Sequence, residues 1–144
     1  MDSPTDPDPA PLACTTPRQA REMRRRLLER VADSEATHLT IDVHQGHWQP
    51  LHTGVEIKVL REHEGVLSYL LRLAPGASLP AHRHPLDEEG VVLQGRLQVG
   101  SRLEIGPGGY HLAHRGALHA TIRSRGGALL FLRGAVPVAQ DALG

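Results

Sequence analysis

Apolar positions recur along this chain in two rhythms. In TPRQAREMRRRLLERVADS, which begins at Thr16, the residues Ala20, Met23, Leu27, Leu28 and Val31 fall at helical spacing and gather into one stripe, which predicts an amphipathic helix. Thr16 as N-cap, Pro17 at the first helical position and Gln19 completing a capping box mark its start. From His38 onward the texture changes to short apolar-rich runs: HLTIDV, VEIKVLRE, VLSYLLRLAP, EEGVVLQ, RLQV, RLEI, GYHLAH, LHATIRS and ALLFLRG. Turn signals such as REHEG, LQG, VGS, IGPGG and RSRGG separate them at close to the ~8–12 residues expected between strands of a sandwich or barrel. The pattern predicts an all-β domain, as a closed barrel, a jelly roll or an open sandwich, with one N-terminal α-helix. No period of ~20–50 residues repeats, which excludes a solenoid or propeller.

Composition sets the boundaries of this plan. Pro4, Pro7, Pro9, Pro11 and Pro17, with Asp2, Asp6 and Asp8 between them, cannot bury enough apolar surface to offset ordering entropy. The expected organisation is a Pro/Asp-rich disordered tail over 1–17, an Arg-rich helix over 18–35, a β-domain over 38–136 and a C-terminal tail over 137–144. With 144 residues, 40% of them hydrophobic, one core and one domain are expected. Acidic and basic residues balance at 16 each, so no net field marks a binder of nucleic acid or of a membrane surface. Arg18, Arg21, Arg24, Arg25, Arg26 and Arg30 read as the solvated face of the helix rather than as a phosphate-binding patch, since no aromatic residues interleave with them. A single cysteine, Cys14, rules out an internal disulfide and any CxxC motif, and suits a reducing cytoplasm. The N-terminus has acids where a secretory signal carries positive charge, and no run approaches the ~20 apolar residues that span a bilayer, so a soluble, unexported protein is expected.

One run carries chemistry. In LPAHRHPLDEEGVVLQG, residues 79–95, His82 and His84 stand two apart, and side chains at i and i+2 of a strand share a face. Both imidazoles can then approach one metal ion, and an acid three or four positions further on can join them from the next turn of chain. Imidazole nitrogens with a carboxylate oxygen suit Zn, Fe, Mn or Ni better than Ca or Mg, whose shells are all oxygen. One divalent transition metal is the implied cofactor. Alone, an HxH pair more often marks a polar surface strand; the wider spacing shifts that balance.

Read from Gly76 to Gly95, the chain gives glycine, five residues, His82, one residue, His84, three residues, Glu88, six residues and glycine. This resembles the first signature motif of the cupin superfamily at every fixed position. GGYHLAHRGALHATIR resembles the second: Gly108, Gly116 and His119 are in place, while His114 stands where that motif has proline and Arg123 where it has asparagine. The resemblance implies a small cupin barrel (a double-stranded β-helix, or jelly roll) that holds its metal through His82, His84, Glu88 and His119. Zn or Fe is favoured, with Mn or Ni as further candidates. Glu89 is the rival acid, and spacing to Gly95 favours Glu88 as the inward one, although a bulge reverses a face. Residues 44–134, which include HWQPLHTGVEIKVLREHEGVLSYLLRLAPGASLPAHRHP, are further similar to the C-terminal cupin domain of ChrR-type anti-sigma factors. In those proteins this domain binds zinc and conveys a stress signal, while a separate N-terminal His/Cys zinc domain holds the sigma factor. Here Cys14 stands alone and only the helix precedes the β-domain, so sequestration of a sigma factor in the same way is not expected.

The resemblance thus implies a metal-bound regulatory or small-molecule-sensing role, with a mononuclear non-heme metal dioxygenase that cleaves dicarbonyl compounds as the alternative. Fold alone does not choose between enzyme and sensor. Tyr69, Tyr110, Arg72 and Arg83 read by default as strand or surface residues, which leaves no acid or base assigned beside the ligands. His111 and His114 read as surface, with a supporting donor or an extra ligand as the other options. Trp48 reads as a core or interface anchor. The helix stripe needs cover from this chain or a neighbour, and since cupins are often dimers a homodimer is expected. With only 3% aromatic residues, any cavity is expected to be lined by Leu, Val and Ala and to favour a small, weakly polar ligand.

Overall fold

The computed structural model describes residues 16–32 and 38–135. These fall in two compact units, residues 1–40 and 41–144. Most of the expected N-terminal tail and the whole of the C-terminal one lie outside the described residues.

In the first unit, α1 spans Pro17–Ala32. Its capping box is formed: the Gln19 amide donates to Thr16 Oγ1 at 3.3 Å and the Thr16 amide donates to Gln19 Oε1 at 2.9 Å. Glu22 pairs with Arg25 at 2.8 Å and Arg26 at 2.9 Å, and Arg25 also reaches Glu29 at 2.6 Å. The arginines therefore support the helix along its own surface. Met23, Leu27, Leu28 and Val31 are each more than half exposed. No described helix is long and apolar enough to cross a membrane.

The second unit is built from β1 (Gln49–His52), β2 (Val55–His63), β3 (Val66–Leu73), β4 (Ser78–Leu79), β5 (His82–Arg83), β6 (Glu88–Gly95), β7 (Leu97–Val99), β8 (Leu103–Ile105), β9 (Tyr110–Ala113), β10 (Leu118–His119), β11 (Ile122–Arg123) and β12 (Ala128–Gly134). They form a six-stranded sheet in the order β1-β2-β3-β12-β6-β9, a four-stranded sheet β4-β11-β7-β8 and the ribbon β10-β5. Period-two alternation decides what each strand buries. In β3, Leu67, Tyr69, Leu71 and Leu73 point inward; the four-stranded sheet answers with Leu79, Leu97, Val99, Ile105 and Ile122. One continuous core thus joins the two sheets, and each buried aliphatic side chain contributes about 1.5–3 kcal/mol. The sheets do not close on themselves, so the closed barrel gives way to the jelly-roll sandwich.

Two expected elements come out differently, and one strand forms where none is expected. HLTIDV is not a strand but coil and a turn, because Asp42 and Gln45 satisfy the local backbone: the His44 amide donates to Asp42 Oδ1 at 3.3 Å and the Asp42 amide to Gln45 Oε1 at 2.8 Å. Lys58, buried beneath this turn, donates to the Val43 carbonyl at 3.2 Å and fastens it to the sheet. β1, which the apolar runs do not predict, forms despite Pro50 as the edge strand of its sheet, where proline is tolerated. LHATIRS divides into β10 and β11, which join different sheets.

Candidate metal centre

The register of the six-stranded sheet places the site. On its inward face one row runs Tyr69, Leu132, Gly90, His111 across β3, β12, β6 and β9, and Glu88 pairs with Ala113 one row further along. His82 and His119 face each other across the ribbon β5–β10. The two motif segments are tied where they meet: the Gly116 amide donates to the His84 carbonyl at 2.9 Å, Arg83 donates to the Gly116 carbonyl at 2.6 Å and the Arg115 amide donates to Asp87 Oδ1 at 2.6 Å. Gly95 closes the first motif for a steric reason. Its φ is +75°, and a Cβ there would lie 2.1 Å from the Gly127 carbonyl oxygen.

Ligand atoms of His82, His84 and Glu88 all lie within 4.8 Å of one another, a group that could hold a metal ion. His119 flanks this group, its ring centroid 5.2 Å from that of His82 and 5.5 Å from that of His84. His82 Nδ1 lies 2.8 Å from the Pro80 carbonyl and His119 Nδ1 2.9 Å from the Ala120 carbonyl. A carbonyl only accepts, so in both rings Nδ1 carries the hydrogen and Nε2 keeps a free lone pair. His84 and Glu88 are 3% and 6% exposed, with His84 Nε2 3.4 Å from Glu88 Oε1. That nitrogen is buried without a hydrogen-bond partner among the described residues. The other carboxylate oxygen, Oε2, accepts a 2.6 Å hydrogen bond from the Tyr69 hydroxyl.

Electrostatics favour a cation here. Burial, reinforced by His82 and His119, lowers the His84 pKa to about 4, so the imidazole is neutral at pH 7 and its contact with Glu88 is no ion pair. Burial likewise lowers His119 and His111. Glu88 is pushed up by burial, against which the Tyr69 hydrogen bond works. Tyr69, raised by burial and then by the Glu88 charge, remains a neutral donor and is no base. Neutral imidazoles around a desolvated carboxylate, one with an orphaned lone pair, fit a divalent transition metal with N and O ligands.

Glu88 and Glu89 are separated by the sheet: Glu89 is on the outer face, accepting from the Tyr110 hydroxyl at 3.0 Å, with Arg133 at 3.9 Å. His114 is also outside, 3.8 Å from Asp87. Arg72 bonds Glu56 and stacks on half-buried Trp48 at 4.1 Å, and Arg83 points to the Gly116 carbonyl. Tyr69, read as strand or surface, is a strand residue that faces inward, and the surface assignment of His111 is overturned. Tyr69 is 1% exposed and holds Glu88; His111 lines the cavity, its ring 5.2 Å from that of His119. Strand parity with Leu67, Leu71 and Leu73 was the available signal for Tyr69. His111 gave none, because Gly109 and Gly116 bracket its strand. Gly134 also had no signal: a Cβ there would meet Glu88 Cβ at 3.0 Å, so the glycine makes room for the carboxylate's stem. The cavity is about 30 Å³; beside Tyr69, His82, Glu88, His111 and His119 its lining is aliphatic, with Ile105 and Ile122 where alanine was expected.

A buried histidine–carboxylate cluster inside an antiparallel jelly roll defines a cupin-class protein, and comparison with known proteins narrows this. Residues 36–137 match the family described as the ChrR cupin-like domain, and the chain belongs to that family. No curated protein matches the chain by sequence. Among solved structures it resembles a chain of the Rhodobacter sphaeroides complex of SigE with the anti-sigma ChrR, with TM-score 0.58 and 20% identity over 87% of this chain and 70% of that one. An acetylacetone dioxygenase from Acinetobacter johnsonii gives TM-score 0.59 and 15% identity over 68% and 72% of the two chains. KdgF from a Halomonas species gives 0.58 and 20% over 65% and 90%. At these identities the likeness is one of fold.

Proposed function

We propose that this protein is a metal-binding ChrR-like cupin with a regulatory or small-molecule-sensing role, using His82, His84, Glu88 and His119 as its ligands. The observation that carries the reading is the convergence of the first three within 4.8 Å with His84 Nε2 left unsatisfied. His119 would complete the set from β10, its ring centroid 5.2 Å from that of His82 and 5.5 Å from that of His84. Three imidazoles and a carboxylate suit Zn or Fe, with Mn or Ni as further candidates. The single cysteine in the sequence supports a cytoplasmic setting, and the exposed stripe of α1 supports a homodimer, which sedimentation analysis would register as twice the chain mass.

A mononuclear dioxygenase acting on a dicarbonyl compound is the second reading, favoured by the fold likeness to an acetylacetone dioxygenase. The cavity volume weighs against it: 30 Å³ is far below the ~150 Å³ that takes a benzene-sized molecule. The test couples elemental analysis of freshly purified protein to an oxygen-uptake screen. Metal-dependent binding to another protein without turnover selects the first reading. Steady turnover of a dicarbonyl with oxygen consumption, lost in His84→Ala, selects the second.

A further inference from the structure

The small cavity has a local cause. Across β3, β12, β6 and β9 the row nearest the polar groups is Tyr69, Leu132, Gly90, His111, each paired with the next. Gly90 brings no side chain, and Leu132 fills the space it leaves: a Cβ at position 90 would lie 2.3 Å from Leu132 Cδ2. Leu132 is thus the one aliphatic side chain set between the Tyr69 phenol and the His111 imidazole. The neighbouring row, Leu71, Leu130 and Val92, is apolar throughout and buried in the core, so it forms the floor rather than an adjustable wall. Leu132 is only partly buried and packs against that core from its edge.

We infer that Leu132 is the size filter of the metal centre and that the ligand admitted beside the metal is hydroxide or a diatomic molecule, not a carbon compound. This rests on the metal-binding reading. The free volume of about 30 Å³ compares with the ~10–15 Å³ that a single water requires and the ~150 Å³ that takes benzene, so a ligand of one or two non-hydrogen atoms fits and a dicarbonyl does not. The Leu132 side chain offers such a ligand no hydrogen-bond partner, which leaves the metal as its anchor. Shortening Leu132 to alanine joins the space above Gly90 to the cavity and removes the filter.

The test uses the full chain loaded anaerobically with Fe(II), as wild type and as Leu132→Ala. Nitric oxide is the diatomic probe, read by EPR; acetylacetone is the carbon probe, read by visible absorption. Wild type is expected to take nitric oxide and exclude acetylacetone, while Leu132→Ala takes both, with acetylacetone half-saturation lowered at least about tenfold. Equal acetylacetone affinity in the two proteins overturns the filter, and so does exclusion of nitric oxide from wild type. Should Leu132→Ala fail to fold, Leu132→Val makes the same comparison at smaller amplitude, and the two wild-type titrations remain decisive. An Fe(II) content near zero overturns the metal reading as well, and is distinguished from failure of the filter by the iron assay itself.

Discussion

Glu88 accepts a hydrogen bond from Tyr69 at 2.6 Å inside the sheet, and Glu89, the next residue, accepts one from Tyr110 at 3.0 Å on its outer face. The chemistry of the two pairs is the same, and only the solvent differs. Outside, water replaces a lost partner, so the pair contributes little. Inside, nothing replaces it: a buried carboxylate oxygen that loses its donor bears its desolvation penalty in full. The strand's period of two converts neighbours in sequence into a potential metal ligand and a surface acid.

Substituting each acid gives the widest separation. Glu88→Gln is expected to weaken metal binding by more than about 100-fold, beyond the 10–100-fold typical for residues that merely support a ligand, while Glu89→Gln leaves it unchanged; isothermal titration with Zn(II) and Fe(II) measures both. Removing the hydroxyls comes next. Tyr69→Phe should lower unfolding stability by about 1–3 kcal/mol by urea denaturation and weaken metal binding about tenfold or more, whereas Tyr110→Phe stays within about 0.5 kcal/mol.

Acidity sharpens the contrast in the metal-free protein. His84, His119 and His111 have folded pKa values below that of the free imidazole. The unfolded chain therefore binds more protons below about pH 6.5, and the stability these groups supply is present above that pH and lost as it falls toward 4. Glu88 is raised, so its contribution has the opposite sign: present below the usual carboxylate range and lost as pH rises through its folded value. Three groups oppose one, and a loss of order 1–2 kcal/mol is expected from pH 7 to 5 in chelator, measured by urea titration. Glu88→Gln should steepen that loss, and Glu89→Gln should not. The smallest effect expected is on the outer face, where Arg133→Gln changes stability by less than about 0.5 kcal/mol.

Much of this arrangement was legible in the chain. The match of Gly76 to Gly95 with the first cupin motif pointed to His82, His84 and Glu88, and the spacing of two put both histidines within reach of one ion. The capping box of α1 and most strand positions were equally readable. What was not legible depends on cross-strand register. Tyr69 meets Glu88 only through the intervening β12, and Leu132 lies over Gly90 only because those two residues pair. Residues 38–43 misled for a different reason: the side chains of Asp42 and Gln45 offered the backbone local partners that compete with a ladder.

The convergence of His82, His84 and Glu88 on one cation is tested most directly by anomalous diffraction from crystals of the full chain grown with zinc. The expected result is one strong peak about 2.0–2.2 Å from an imidazole nitrogen of each histidine and a Glu88 oxygen, absent in His84→Ala crystals. A peak at other histidines, or no peak in the presence of saturating metal, would contradict it.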